Sequence, residues 1–177
     1  MVENITLAPL FLNCSVAKLN QFSSRLLDCL DRLSEEQVWL RFTEDQNTAG
    51  NLVLHLCGNV RQWIVSGIGG QPDVREREKE FSARGGLSKA ELAGRLRETV
   101  AAAVPIMQAL TPERLAERKG IQGYDVTVLE AVYGVVEHFA QHTAQVIFVT
   151  KLCTGEDLGY FKHLSAGVPE RSGGPAR

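Results

Sequence analysis

His138 and His142 stand four residues apart in "EHFAQHTAQ", residues 137 to 145, in a chain of 177 residues that has only four histidines. On a helix, that separation puts two imidazoles about 40° apart around the axis and about 6 Å apart along it. Both rings can then reach one metal ion. A third histidine, His55, belongs to a stripe of polar residues: Thr48, Asn51, His55, Asn59 and Gln62, at three- and four-residue steps in an otherwise apolar segment. Polar groups on a buried helix are costly unless they find partners, so this stripe either hydrogen-bonds inside the protein or lines a cavity. If it faces the other pair, three imidazoles converge. Three neutral nitrogens suit Zn²⁺, Ni²⁺, Fe²⁺ or Cu²⁺, and they leave positions for water or substrate, the pattern of a reactive site. Such an ion could lower the pKa of bound water to about 7 or hold a thiol as thiolate. Its affinity should fall below about pH 6.5, where free histidine takes up a proton. The plainer alternative is a pair of histidines satisfied by solvent or neighbouring carbonyls. His163 lies past the helix stop at Thr154-Gly155 and reads as exposed or packed rather than as a ligand.

The elements that must position these residues are legible as periodic segments. From about Ser15 to Leu33, Val16, Leu19, Phe22, Leu26, Leu30 and Leu33 recur at three or four residues, which predicts an amphipathic helix. Ser34 and Gln37 stand at capping-box spacing and open a new turn. The His55 segment runs from about Thr48 to Val65 and ends at "GIGGQP". Ser88 and Glu91 form a second capping box before a third helix, with Leu92, Leu96, Val100, Val104, Met107 and Leu110 as its core stripe and Pro105 expected to bend or interrupt it. The fourth, from about Val128 to Leu152 with Thr127 as its cap, carries Gly134, His138, Gln141, His142 and Gln145 on one side. The charged "DVREREKEFSARGG" reads as a surface connection with some helical turns. "TPERLAERKGIQGYDVT" reads as a long connection with one short turn at Thr111-Pro112, and no alternating strand pattern of useful length is visible. Four long segments with apolar faces predict an all-α, antiparallel helical bundle.

Bulk properties narrow the function classes. Apolar residues make up 44 % of the chain and the net charge is −2, so a globular fold is expected, with no basic patch for nucleic acid and no polybasic membrane anchor. No run reaches the length of a membrane span, and "ITLAPLFLN" does not read as a signal peptide. Cys14, Cys29, Cys57 and Cys153 form no C-x-x-C pair. They are expected to be free, buried thiols in a cytoplasmic protein. "GIGG" lacks the lysine of a phosphate-binding loop.

Three stretches together resemble the DinB-like (DinB/YfiT) superfamily of metalloenzymes: "NLVLHLCGNVRQWI" (51–64), "DVREREKEF" (73–81) and "IQGYDVTVLEAVYGVVEHFAQHTAQVIFVTKLCTGEDLGY" (121–160). The resemblance covers about Leu10 to Phe161 and is strongest to a subgroup without an established function. It implies an up-down-down-up four-helix bundle, one domain over residues 1–161 with a tail at 162–177, and a metal centre made by His55, His138 and His142. Ala144 departs from the glycine of that subgroup. Members of the superfamily include S-transferases and isomerases that use low-molecular-weight thiols. The implied activity is therefore metal-dependent transfer of such a thiol to an electrophilic small molecule, in a homodimer. A metal-dependent hydrolase that activates water, and a non-catalytic metal or small-molecule binding protein of a stress response, are the alternatives. By position in the family pattern, Arg75, Arg77 and Glu80 could cover the site and meet an anionic substrate, with surface ion pairs as the default. Asn59 and Gln62 could orient a ligand or a water, and Glu137 and Gln141 could support the ligands. Cys57, two residues from His55, should point into the core.

Overall fold

The computed structural model describes residues 7–165. It is mainly helical, with one small hairpin. In chain order it comprises α1 (Leu7–Arg32), α2 (Glu35–Val38), α3 (Ala49–Val60) continued as a π-helix (Arg61–Ile68), α4 (Arg77–Ser82), α5 (Lys89–Gln108), α6 (Pro112–Ala116), β1 (Arg118–Ile121), β2 (Tyr124–Thr127), α7 (Val128–Thr154) and α8 (Lys162–Ser165). Four of these helices are long enough to build the interior. α1 packs on α5 and α7, and α3 packs on the same two, so α1 and α3 lie across from each other. Leu19, Leu26, Leu56, Ile64, Leu96, Met107, Val132 and Phe139 are fully shielded from water and belong to one continuous apolar cluster.

The helix starts follow side-chain chemistry. Ser34, Thr48, Ser88 and Thr127 each accept a hydrogen bond from the N–H three residues on, and the residue there reaches back to the cap's own N–H. These capping boxes satisfy N–H groups that no helical carbonyl can reach. Thr48 and Asn51 therefore serve the start of α3. α7 stops at Gly155, whose φ of 70° suits glycine.

Several expectations need correction. α1 extends back to Leu7, well before Ser15, because Pro9 falls in the first turn, where its missing N–H costs nothing. Pro105 does not break α5, which runs through it to Gln108. Pro105 and Ala101 both lie on the solvent side, so the carbonyl left without its N–H partner can bond to water. Ala103, rather than Val104, completes the buried stripe of α5. The connection before α7 contains an antiparallel hairpin in which Arg118 pairs with Thr127 and Ile121 with Tyr124. Gln122 and Gly123 both take positive φ at its tip, which suits a tight hairpin turn. In the C-terminal tail, Lys162–Ser165 form a short helix; residues 166–177 and the side chain of His163 lie outside the described part.

The cysteines are free but not uniformly buried: Cys29 and Cys57 are buried, Cys153 is half-buried and Cys14 is exposed. Burial also pushes the Cys57 thiol up to about 11, which leaves little reactive thiolate. Alkylation of the native protein is expected to modify Cys14 first, with Cys57 reacting only on unfolding. Mass spectrometry of partially labelled protein checks this order, and early modification of Cys57 would contradict it.

Candidate metal centre

His55 on α3 and His138 and His142 on α7 meet between the two helices. One nitrogen from each lies within 4.8 Å of the other two. The Nε2 atom of His138 is 3.0 Å from that of His55 and 3.1 Å from that of His142. His55 is buried and the other two are half-buried. The rings stand nearly perpendicular to one another, with centroids 4.5–5.1 Å apart.

Hydrogen bonds at the far side of two rings favour one placement of their protons. Nδ1 of His55 is 2.9 Å from Oε2 of Glu80 and 3.1 Å from Nη2 of Arg75. That Nη2 already donates to the same carboxylate oxygen, and an ionised carboxylate only accepts, so the shorter contact is a donation from Nδ1 that leaves Nε2 its lone pair. Nδ1 of His142 is 2.8 Å from Oε1 of Gln145; donation to that carbonyl leaves its Nε2 lone pair facing inward as well. Burial, then the neighbouring imidazoles and Arg75, pull His138 down to about 4, and burial lowers His142 too. Competition from protons at these two residues therefore sets in lower than the 6.5 of free histidine.

These observations test whether a cation fits. With two inward lone pairs fixed, one proton on Nε2 of His138 can be given to only one neighbour. A cation among the three nitrogens would satisfy all of them. The tautomer this requires puts a hydrogen on Nδ1 of His138, an atom that is buried and has no partner. The residues fit a three-imidazole centre for a divalent transition ion, with carboxylate and amide groups holding two of the rings.

Arg75 and Glu80 do not form a surface ion pair. Their side chains are only 4 % and 9 % exposed. Arg75 grips Glu80 with two hydrogen bonds, Nε to Oε1 at 2.7 Å and Nη2 to Oε2 at 2.9 Å. Its Nη1 donates to Gln62, which in turn donates to Asp73. Burial opposes ionisation of Glu80, but the hydrogen bonds from Arg75 and His55 outweigh it and hold the carboxyl below its usual range. The charged connection therefore folds under itself as a strap across α3. Asn51 ties the strap down by donating to the carbonyls of Glu80 and Ala83.

A model of the family described as "Protein of unknown function (DUF1572)" matches residues 6–167. The chain belongs to the DUF1572 family. No curated protein matches it. A conserved protein from Enterococcus faecalis, known from a crystal structure, is similar in fold at a TM-score of 0.67 and 14 % identity, over 81 % of this chain and 97 % of that one.

Within this DUF1572 chain, the other residues singled out in the sequence separate clearly. Asn59 lines a small cavity beside the triad, as does Arg77. Gln141 donates to Glu137 on the exposed face of α7, so neither supports a ligand. Cys57 faces a different cavity, across α3. Sequence reasoning gave no role to Gln145, although it placed that residue on the right side of the helix. It also missed Gly58, where a methyl group would collide with Oε1 of Glu80 and lie 2.9 Å from Nε of Arg75. Helix propensity alone favours Gly58→Ala by about 1 kcal/mol. The pinned carboxylate cannot swing away cheaply, and overpacking of this kind costs about 1–3 kcal/mol. Gly58→Ala is therefore expected to lower the melting temperature, and a rise in thermal denaturation would show that Glu80 has room to move.

Proposed function

We propose that this protein is a metal-dependent enzyme whose centre is His55, His138 and His142, and that it transfers a low-molecular-weight thiol to an electrophilic small molecule. The observation that carries the reading is the set of three converging Nε2 atoms, two of them with their outer nitrogens committed to Glu80 and Gln145. The resemblance of residues 51–64, 73–81 and 121–160 to the DinB-like superfamily supports it, as does the pairing of α1, α3, α5 and α7, which suits an up-down-down-up four-helix bundle in one domain.

When bound, a divalent ion supplies Lewis acidity that favours the deprotonated form of a thiol reaching it. The chain's own residues do the positioning. Glu80 and Gln145 orient two rings, and Arg75 keeps Glu80 ionised. The cavity lined by Asn59, Trp63 and Arg77 leads to the triad. In the transfer, the thiol sulfur bonds to the electrophilic carbon, the leaving group departs with its electron pair, and the thiol proton passes to solvent. Cys57 faces the cavity across α3 and its pKa is raised to about 11, so it is not the nucleophile.

The test is metal analysis of untagged protein, followed by a screen of thiols against electrophiles with and without the ion found. Metal-dependent consumption of thiol and electrophile together is the expected result. Metal-dependent hydrolysis of the electrophile without thiol would favour the hydrolase, and absence of stoichiometric metal binding would remove the proposal.

A further inference from the structure

We infer that the cavity across α3 from the triad is a second binding site and takes an amphipathic organic anion. The apolar body of the ligand lies over Leu54, Cys57, Val65 and Leu87, and its anionic head meets Arg61 and Arg95. The inference goes beyond the reading of the triad and stands or falls without a metal.

The cavity measures about 510 Å³, within the range of small-molecule sites. Three parts of the chain enclose it: α3 with the π-helix that continues it, the first half of α5, and the strap. Leu54, Cys57, Arg61 and Val65 follow one another at three- and four-residue steps, so they share one edge of α3 and its continuation. Cys57 and Val65 are buried, and Leu54 and Leu87 are half-buried. The apolar lining is therefore a recessed floor with charged residues around it, the pattern of a ligand site rather than of a scattered surface. Arg61 and Val65 come from the π-helix, a form found frequently at functional sites.

The charges of the lining are unevenly placed. Asp73, Glu76 and Glu80 stand on the strap side, and all three are engaged. Asp73 accepts from Gln62 and from the N–H of Arg75. Glu76 pairs with Lys79 at 2.7 Å, and Arg75 neutralises Glu80. Arg61 and Arg95 stand on the helix side, and no carboxylate pairs with either among the described residues. Both lie near enough to the Cys57 thiol to oppose the upward push that burial gives it. Two free guanidinium groups from different elements therefore converge on one part of the floor. Glu98 adds a single carboxylate to that side, which leaves a surplus positive charge there. Guanidinium groups favour carboxylate and phosphate oxygens, with which they form paired hydrogen bonds.

The experiment is calorimetric titration of the full-length protein, at constant ionic strength, with octanoate, octan-1-ol, octylammonium and acetate. Octanoate should bind saturably and about tenfold more tightly than octan-1-ol or octylammonium. It should exceed acetate by at least about a hundredfold, because its alkyl chain buries methylenes that acetate lacks. Arg61→Gln and Arg95→Gln should each weaken octanoate by about three- to tenfold and leave octan-1-ol unchanged. Both arginines are exposed, so these variants keep the fold. Arg97→Gln, on α5 but outside the cavity lining, should change neither probe. His138→Ala should bind octanoate as the wild type does; loss of binding there would put the carboxylate at the triad and overturn the inference. Absence of saturable octanoate binding, equal affinity for octylammonium, or unchanged octanoate affinity in both Arg61→Gln and Arg95→Gln would also overturn it. An equal loss in Arg97→Gln would do the same, since it would reduce the effect to net charge.

Discussion

Alanine at His55, His138 or His142 is expected to reduce Zn²⁺ affinity by at least about a hundredfold, more than the ten- to hundredfold that outer hydrogen-bond partners usually carry. The three nitrogens come from two helices that pack directly on each other, so removing one leaves two donors that cannot fix a coordination geometry. His138 should be the most sensitive position, because its Nε2 contacts both of the others. His163→Ala serves as a control, since that residue lies outside the H-x-x-x-H and past the end of α7. Calorimetry and metal content on the four variants, each with a helical circular-dichroism spectrum, provide the measurement. Wild-type affinity in His55→Ala would remove α3 from the centre.

Glu80→Ala is expected to destabilise the fold and weaken metal binding together. It strands the guanidinium of Arg75, only 4 % exposed, without its carboxylate. Breaking a buried pair from one side costs about 3–5 kcal/mol, or roughly 6–20 °C in melting temperature for a chain of this size. His55 loses the group that holds its tautomer, so metal affinity should fall by about ten- to hundredfold. Replacing both partners, as in Arg75→Met with Glu80→Leu, should recover most of the stability but not the metal affinity. That split distinguishes a stranded charge from simple damage to packing. Unchanged melting in Glu80→Ala would mean that water reaches Arg75 more easily than its burial implies.

The long helices were legible because their burial is periodic. Leu19, Leu26 and Leu30 repeat at helical spacing, and all three are buried. Capping boxes were legible because they involve only residues three apart. The histidine pair on α7 was visible for the same local reason. His55 needed more, since spacing cannot say which face of α3 meets α7; its role came from an unexplained polar stripe and a family resemblance. What sequence missed depends on burial and pairing that periodicity does not show. The charges of the strap looked like a solvated surface, because nothing local shows that Arg75 and Glu80 neutralise each other under cover. The hairpin was hidden because its strands are four residues each and only Ile121 among them is fully buried, too short to alternate visibly.

The strap couples the centre to local unfolding. Glu80 is at once the residue that steers His55 and an anchor of the segment lying over α3. An ion held by His55 would therefore oppose lifting of that segment, and Zn²⁺ should slow amide hydrogen exchange across residues 75–83. Loosening the strap at Asn51, whose side chain bonds to the carbonyls of Glu80 and Ala83 and to none of the three histidines, should weaken that protection.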